Sequence, residues 1–203
     1  MRLFLAGYRF GAHRDRFVAL AGGSGPVAVV ANACDAWPPA ARSAAVAGDL
    51  GPLRSLGFTA REIDLRRDPA TALADFPVVW VRGGNTFVLR AAFARSNADT
   101  VAVDLIRQNA LVYAGYSAGA CLLAPSLTGL ELLDDPADAG PELRWDGLGL
   151  IAASIVPHHR SPLDIDGGAE RLIARYRAAD ITHLPLTDDE VLVVDGDAGT
   201  VLH

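Results

Sequence analysis

The 203-residue chain contains no lysine: all 18 of its basic side chains are arginine. That absence excludes a Schiff-base lysine, a Ser–Lys dyad and a Walker-type phosphate loop, each of which needs the ε-amine. Cysteine is scarce. Cys34 and Cys121 both lie in apolar surroundings, so buried thiols of a reducing compartment are expected rather than a disulfide framework. Long apolar runs are missing too. None approaches the roughly 18 residues of a membrane span, and the N-terminal run Leu3 to Ala6 is too short for a secretory signal. Nor is there a basic tract. With a net charge of −6, neither nucleic acid nor a membrane surface is expected as a partner, and a cytoplasmic location follows as the expectation.

What is present is apolar side chain, 51% of the total, enough for a continuous core in one α/β domain over residues 1–203. Short uninterrupted apolar stretches recur at 2–7, 27–33, 77–81, 111–114 and 150–156, with weaker strands at 60–65, 181–186 and 191–195. Helical stretches separate them: 15–21, a helix opened by Pro38-Pro39 and running to about Leu56 with a break near Gly48 to Pro52, then 86–95, 99–108 and 168–178. Continuous rather than alternating strands between helices predict a mostly parallel sheet covered on both faces. The turn Gly196-Asp197-Ala198-Gly199 predicts a C-terminal β-hairpin.

Ligands of such sheets bind beyond the carboxyl ends of the strands. Three predicted strands end in loops with chemical capability: Gly83-Gly84-Asn85, Ser117 and His158-His159. Ser117 lies in Gly115-Tyr116-Ser117-Ala118-Gly119, where glycines two residues either side suit a sharp strand-to-helix turn with the hydroxyl at its tip. A serine hydroxyl needs a base at neutral pH. Of five histidines, His158 follows directly on a strand end, and its neighbour His159 points elsewhere in any extended geometry, whereas His13 and His183 read as surface or capping residues. Asn85 can cap a helix, while the Gly84 and Ala118 amides form a natural pair of oxyanion donors. The acid that would orient the imidazole stays open among Asp134, Asp135, Asp188, Asp189 and Glu190. Cys121, one turn past Ser117, is expected to pack against the sheet.

Taken together, Gly83-Gly84-Asn85-Thr86-Phe87, Gly115 to Ala120 and Pro157-His158 resemble the peptidase E (aspartyl dipeptidase) family, with cyanophycinases as more distant relatives. The resemblance implies a flavodoxin-like fold of the class I glutamine amidotransferase kind, with Ser117 where those enzymes carry a cysteine. It implies hydrolysis of small peptides without metal or organic cofactor, through Ser117 as nucleophile, His158 as base and the Gly84 and Ala118 amides as oxyanion hole. Asp188 is the implied acid, with Asp135 as the alternative, and Asn85, Arg160 and Arg171 are the implied substrate contacts. The family's Gly-Glu-Thr-Arg segment, whose arginine recognises an aspartyl substrate, has no counterpart in residues 164–171, so a member without strict Asp specificity is expected, as a monomer or homodimer. An esterase using the chain order Ser117, Asp135, His158 and a catalytically silent amidotransferase-like binding module are the alternatives.

Overall fold

The computed structural model describes residues 1–203. Its strands are β1 (Arg2–Ala6), β2 (Pro26–Val30), β3 (Thr59–Glu62), β4 (Val78–Val81), β5 (Val112–Tyr116), β6 (Ser154–Val156), β7 (His183–Pro185), β8 (Val191–Asp195) and β9 (Ala198–Leu202), of which β1, β2, β4 and β5 lie in uninterrupted apolar runs. The helices are α1 (Arg14–Leu20), α2 (Pro39–Ser55), α3 (Thr86–Ser96), α4 (Ala98–Arg107), the single turn α5 (Ala118–Cys121) and α6 (Gly168–Ala178). Seven strands make one sheet in the order β3-β2-β4-β5-β1-β8-β9. The first five of these are mutually parallel, and β8 and β9 form the antiparallel C-terminal hairpin. The fold is therefore the mostly parallel α/β sheet with helices on both faces.

Successive residues of β1, β2, β4 and β5 face opposite cores, as the pleat requires. Leu3, Leu5, Val79, Val81 and Tyr113 join the larger core beneath α3, α4, α5 and α6. Phe4, Val78, Trp80, Val112 and Ala114 join the smaller one, with Phe17 of α1 and Leu53 of α2. Burying each such aliphatic or aromatic side chain stabilises the fold by about 1.5–3 kcal/mol, which explains why strands of four or five residues suffice.

Three expectations need correction. The helix α2 runs through the anticipated break at Gly48 to Pro52. Pro52 has no N–H to give the Gly48 carbonyl, but Arg9 Nη1 donates to that oxygen at 2.9 Å and replaces the missing bond. β2 stops at Val30 rather than Ala33, because residues 32–34 turn into a 3-10 helix whose Asn32 side chain bonds Asp64 and the Leu65 amide. Most consequential, β6 and β7 do not enter the main sheet; they pair only with each other, in parallel. Much of the run at 150–156 is diverted before it can extend: the Leu150 and Ile151 amides bond the Leu123 carbonyl, two residues past α5. The edge of β1 that a further parallel strand would need is occupied by β8.

Candidate active site

β5 ends in a turn too tight for ordinary side chains. Ser117 adopts φ 51° and ψ −120°, and its carbonyl accepts from the amides of Ala120 and Cys121 at 2.9 Å, starting α5 at once. A Cβ on Gly119 would stand 2.2 Å from the Val81 carbonyl oxygen, and one on Gly115 would stand 2.7 Å from that of Gly119. Only glycine lets the turn fold back on itself and lie against β4. A left-handed φ at a non-glycine residue costs on the order of 1–3 kcal/mol, held here by the packing around it.

The end of β4 comes to the same place. Gly84 has φ +147°, and a Cβ there would meet the Ala33 carbonyl oxygen at 2.7 Å, while a Cβ on Gly83 would meet that of Ser117 at 2.9 Å. The amides of Gly84 and Ala118 donate to no acceptor within the protein, and both residues line one cavity with Ser117 and His158. Beneath them a buried network ties the strand ends to α2: Asp49 accepts from Trp80 Nε1 at 3.3 Å, from the Tyr116 hydroxyl at 3.1 Å and from Arg82 Nη1 at 2.5 Å. Arg82 and Tyr116 adjoin residues of the two turns and Trp80 lies within β4, so the network fixes β4 and β5 relative to each other.

His158 arrives from the two-stranded unit. Pro157 ends β6, His158 takes φ 59°, and the His159 amide bonds the Leu186 carbonyl at 3.0 Å, which keeps the exit of β6 beside that of β7. His158 Nε2 lies 2.9 Å from Ser117 Oγ, and its Nδ1 lies 2.8 Å from Asp188 Oδ1. The other Asp188 oxygen accepts a short hydrogen bond from the Ser161 hydroxyl. The Asp188 loop rests on Gly7 at the end of β1, where a Cβ would come within 2.1 Å of the Thr187 carbonyl oxygen. Tyr8 covers the imidazole, with ring centroids 6.0 Å apart.

Of the sequence-predicted residues, the fold brings together Ser117, His158, Asp188, Gly84 and Ala118. It separates others. Asp135 accepts from the Ala137 amide and caps a 3-10 turn, and no hydrogen bond joins it to His158, whose Nδ1 pairs with Asp188 instead. Asn85 caps α3 by accepting from the Phe87 and Val88 amides and gives its Nδ2 to Asp135 and Asp138; its polar atoms are committed and it does not line the cavity. Arg160 is exposed and also outside the cavity, whereas Arg171 lines it and donates to the Asp166 carbonyl at 2.5 Å. His159 turns away to Glu170 at 3.1 Å. His183 bonds the Ile181 carbonyl, and His13 precedes α1 without making a side-chain cap, its Nε2 buried and unpartnered. Cys121 is buried against the sheet, and burial pushes its thiol well above the usual range, which makes it a poor nucleophile.

Sequence reasoning missed Ser161, Tyr8 and the place of Asp134. The Asp134 carboxylate lines the cavity and accepts from the Thr86 amide at 2.8 Å and hydroxyl at 2.7 Å. Burial raises its pKa, opposed by those two hydrogen bonds and by His158 nearby. Only the pairing of Asp134 with a helix N-terminus 48 residues earlier reveals it, and no local pattern encodes that. No group of three or more His, Cys, Asp or Glu is arranged to hold a metal ion, and no helix is long and apolar enough to cross a membrane.

A hydroxyl, an imidazole and a carboxylate hydrogen-bonded in series, on a parallel sheet with free amides beside the hydroxyl, form the constellation of the serine hydrolases. Residues 43–202 match the model of peptidase family S51. The chain belongs to peptidase family S51 and is a serine peptidase. It is 33% identical over 155 residues to peptidase E of Streptomyces coelicolor, covering 72% of this chain and 60% of that protein. An uncharacterised peptidase of Listeria innocua is 27% identical over 146 residues, covering 70% of this chain and 68% of its own. In fold, the chain matches a crystal structure of a Listeria monocytogenes protein provisionally assigned to peptidase E, with TM-score 0.86 over 99% of this chain and 97% of that one at 23% identity. A peptidase from an acI-B1 actinobacterium matches with TM-score 0.69 at 15% identity, over 99% of this chain and 86% of its own.

Proposed function

We propose that the protein hydrolyses short peptides through an acyl-enzyme formed on Ser117. His158 Nε2 takes the hydroxyl proton as Ser117 attacks the carbonyl carbon of the peptide bond. The resulting oxyanion is held by the Gly84 and Ala118 amides, each of such donors contributing on the order of 3 kcal/mol to the transition state. His158 then returns the proton to the leaving amine, and a water repeats the sequence to release the acid. Asp188 holds the imidazole with its Nδ1 protonated, so that Nε2 is free to accept.

The observation that carries this reading is the unbroken series from Ser117 Oγ through both imidazole nitrogens to Asp188, at 2.9 and 2.8 Å. Two features favour short substrates with a free amino end. The cavity is small, about 400 Å³, and the Asp134 carboxylate lies in its wall. A carboxyl whose ionisation burial disfavours gains most from a cation seated against it, which an α-ammonium one residue from the scissile bond supplies.

Steady-state hydrolysis of dipeptides tests the reading. Ser117→Ala is expected to lose at least about 10³-fold in kcat. Retention of wild-type turnover in that variant contradicts the proposal, and a folded, unreactive wild type returns the alternative of a silent binding module.

A further inference from the structure

The cavity walls divide by chemistry. One stretch, Leu130, Leu132 and Leu133, runs directly into Asp134, and Leu163 and Ile165 stand on the loop opposite, with Ile165 88% exposed. The charged lining besides His158 is Asp134, Asp164, Asp166 and Arg171. Of these, Asp164 accepts from the Gly168 and Ala169 amides at 2.6 and 3.1 Å. Arg171 is exposed and spends Nη1 on the Asp166 carbonyl. Three acidic residues therefore share the lining with one solvent-screened guanidinium, and no buried cation is available.

We infer that the acyl-side residue of the substrate carries an uncharged apolar side chain, of the leucine or methionine kind, and that an acidic one is rejected. The inference rests on the proposed reaction at Ser117 and on the α-ammonium at Asp134. With the carbonyl at Ser117 and the ammonium at Asp134, the α-carbon has one heavy-atom bond left, and the leucine stretch that ends at Asp134 is its nearest wall. An apolar side chain placed there leaves water for leucine and isoleucine surface. An aspartyl side chain would bring a further negative charge into a cavity already lined by three acidic residues, without a desolvated partner. Leu133 is the residue best placed to read the side chain. It packs over Gly168, where an added Cβ would stand 2.7 Å from Leu133 Cδ2, so the leucine lies in space that only a glycine leaves open.

The test is the relative kcat/KM for Leu-Leu, Asp-Leu and Lys-Leu, which share a leaving residue, in the full chain and in Ser117→Ala. Leu-Leu is expected to exceed Asp-Leu by on the order of 100-fold. Leu133→Arg should lower the Leu-Leu to Asp-Leu ratio at least about tenfold. Ile165→Arg, at a position exposed enough to leave folding untouched, should lower it by a smaller factor in the same direction. A wild type that prefers Asp-Leu or Lys-Leu, with hydrolysis abolished by Ser117→Ala, overturns the side-chain assignment and leaves the reaction standing. A ratio unmoved in both arginine variants overturns it as well. Hydrolysis that survives Ser117→Ala, or no hydrolysis of any of the three, overturns the reaction and the assignment together.

Discussion

The large sheet and the two-stranded unit contribute to the site in different ways. The large sheet presents Ser117 and the two free amides on turns where glycine is dictated by backbone contacts of 2.2 to 2.7 Å, over a buried Asp49 network. The two-stranded unit presents His158 and Asp188 on loops that follow three-residue strands, with side chains 23% and 24% exposed. One half is held by packing and the other by hydrogen bonds at a partly wet edge. A nucleophile and its oxyanion donors must keep fixed geometry through the reaction, whereas an imidazole must accept and return a proton. Substitutions should therefore separate. On the two-stranded side they lower turnover with little effect on stability; at the glycine turns of the large sheet they lower both.

The sharpest break is His158→Ala, which leaves the large sheet whole and removes the only base in reach of Ser117. Its kcat/KM should fall by on the order of 10⁴ to 10⁶, and the double variant with Ser117→Ala should be no worse than either single one, since the pair acts as a unit. Additive losses would dissolve the pairing. Asp188→Asn comes next, with about 10⁴ in kcat expected from the wrong imidazole tautomer and an unchanged melting temperature. A loss below tenfold would detach Asp188 from the mechanism. Gly84→Ala is the contrasting lesion on the large sheet. The added Cβ would press on the Ala33 carbonyl and move the amide, costing about 10² to 10³ in kcat through the lost oxyanion donor, and the strained φ should lower the melting temperature as well. Ser161→Ala, which removes a donor to Asp188 without touching His158, should cost about tenfold or less in kcat.

A fifth substitution touches the large sheet alone. Asp64 is fully buried beyond β3. Burial by itself would raise its carboxyl, but hydrogen bonds from the Arg66 side chain and amide and from Asn32, with the Arg42 charge, hold it below the usual carboxylate range. A folded pKa below the unfolded value of about 3.9 gives stability that is fully present above that pH. It is lost as the pH falls from there towards the folded value. The melting temperature of the wild type should thus drop more steeply below about pH 4 than that of Asp64→Asn, with activity per folded molecule near neutral pH unaltered. Equal slopes would remove Asp64 from the acid response.

The same division explains what could be read from the chain beforehand. The central strands β1, β2, β4 and β5 were legible because each lies in a continuous apolar run, and the turn at Ser117 because glycine is required at fixed offsets. The partner of β6 was not, since an apolar run such as 150–156 reads alike whether it enters the main sheet or pairs outside it. The acid was ambiguous for a related reason: Asp135 and Asp188 are both loop carboxylates, and only the landing of the Asp188 loop on Gly7 tells them apart. Asn85 followed its local rule as a helix cap, which left nothing for a substrate.

The most direct test of Ser117 activated across the junction between the two sheets is mass mapping after treatment with a fluorophosphonate. The account predicts one adduct, on Ser117, absent from Ser117→Ala and formed far more slowly in His158→Ala. A single adduct on another residue, or labelling of Ser117 at the same rate without His158, would contradict it.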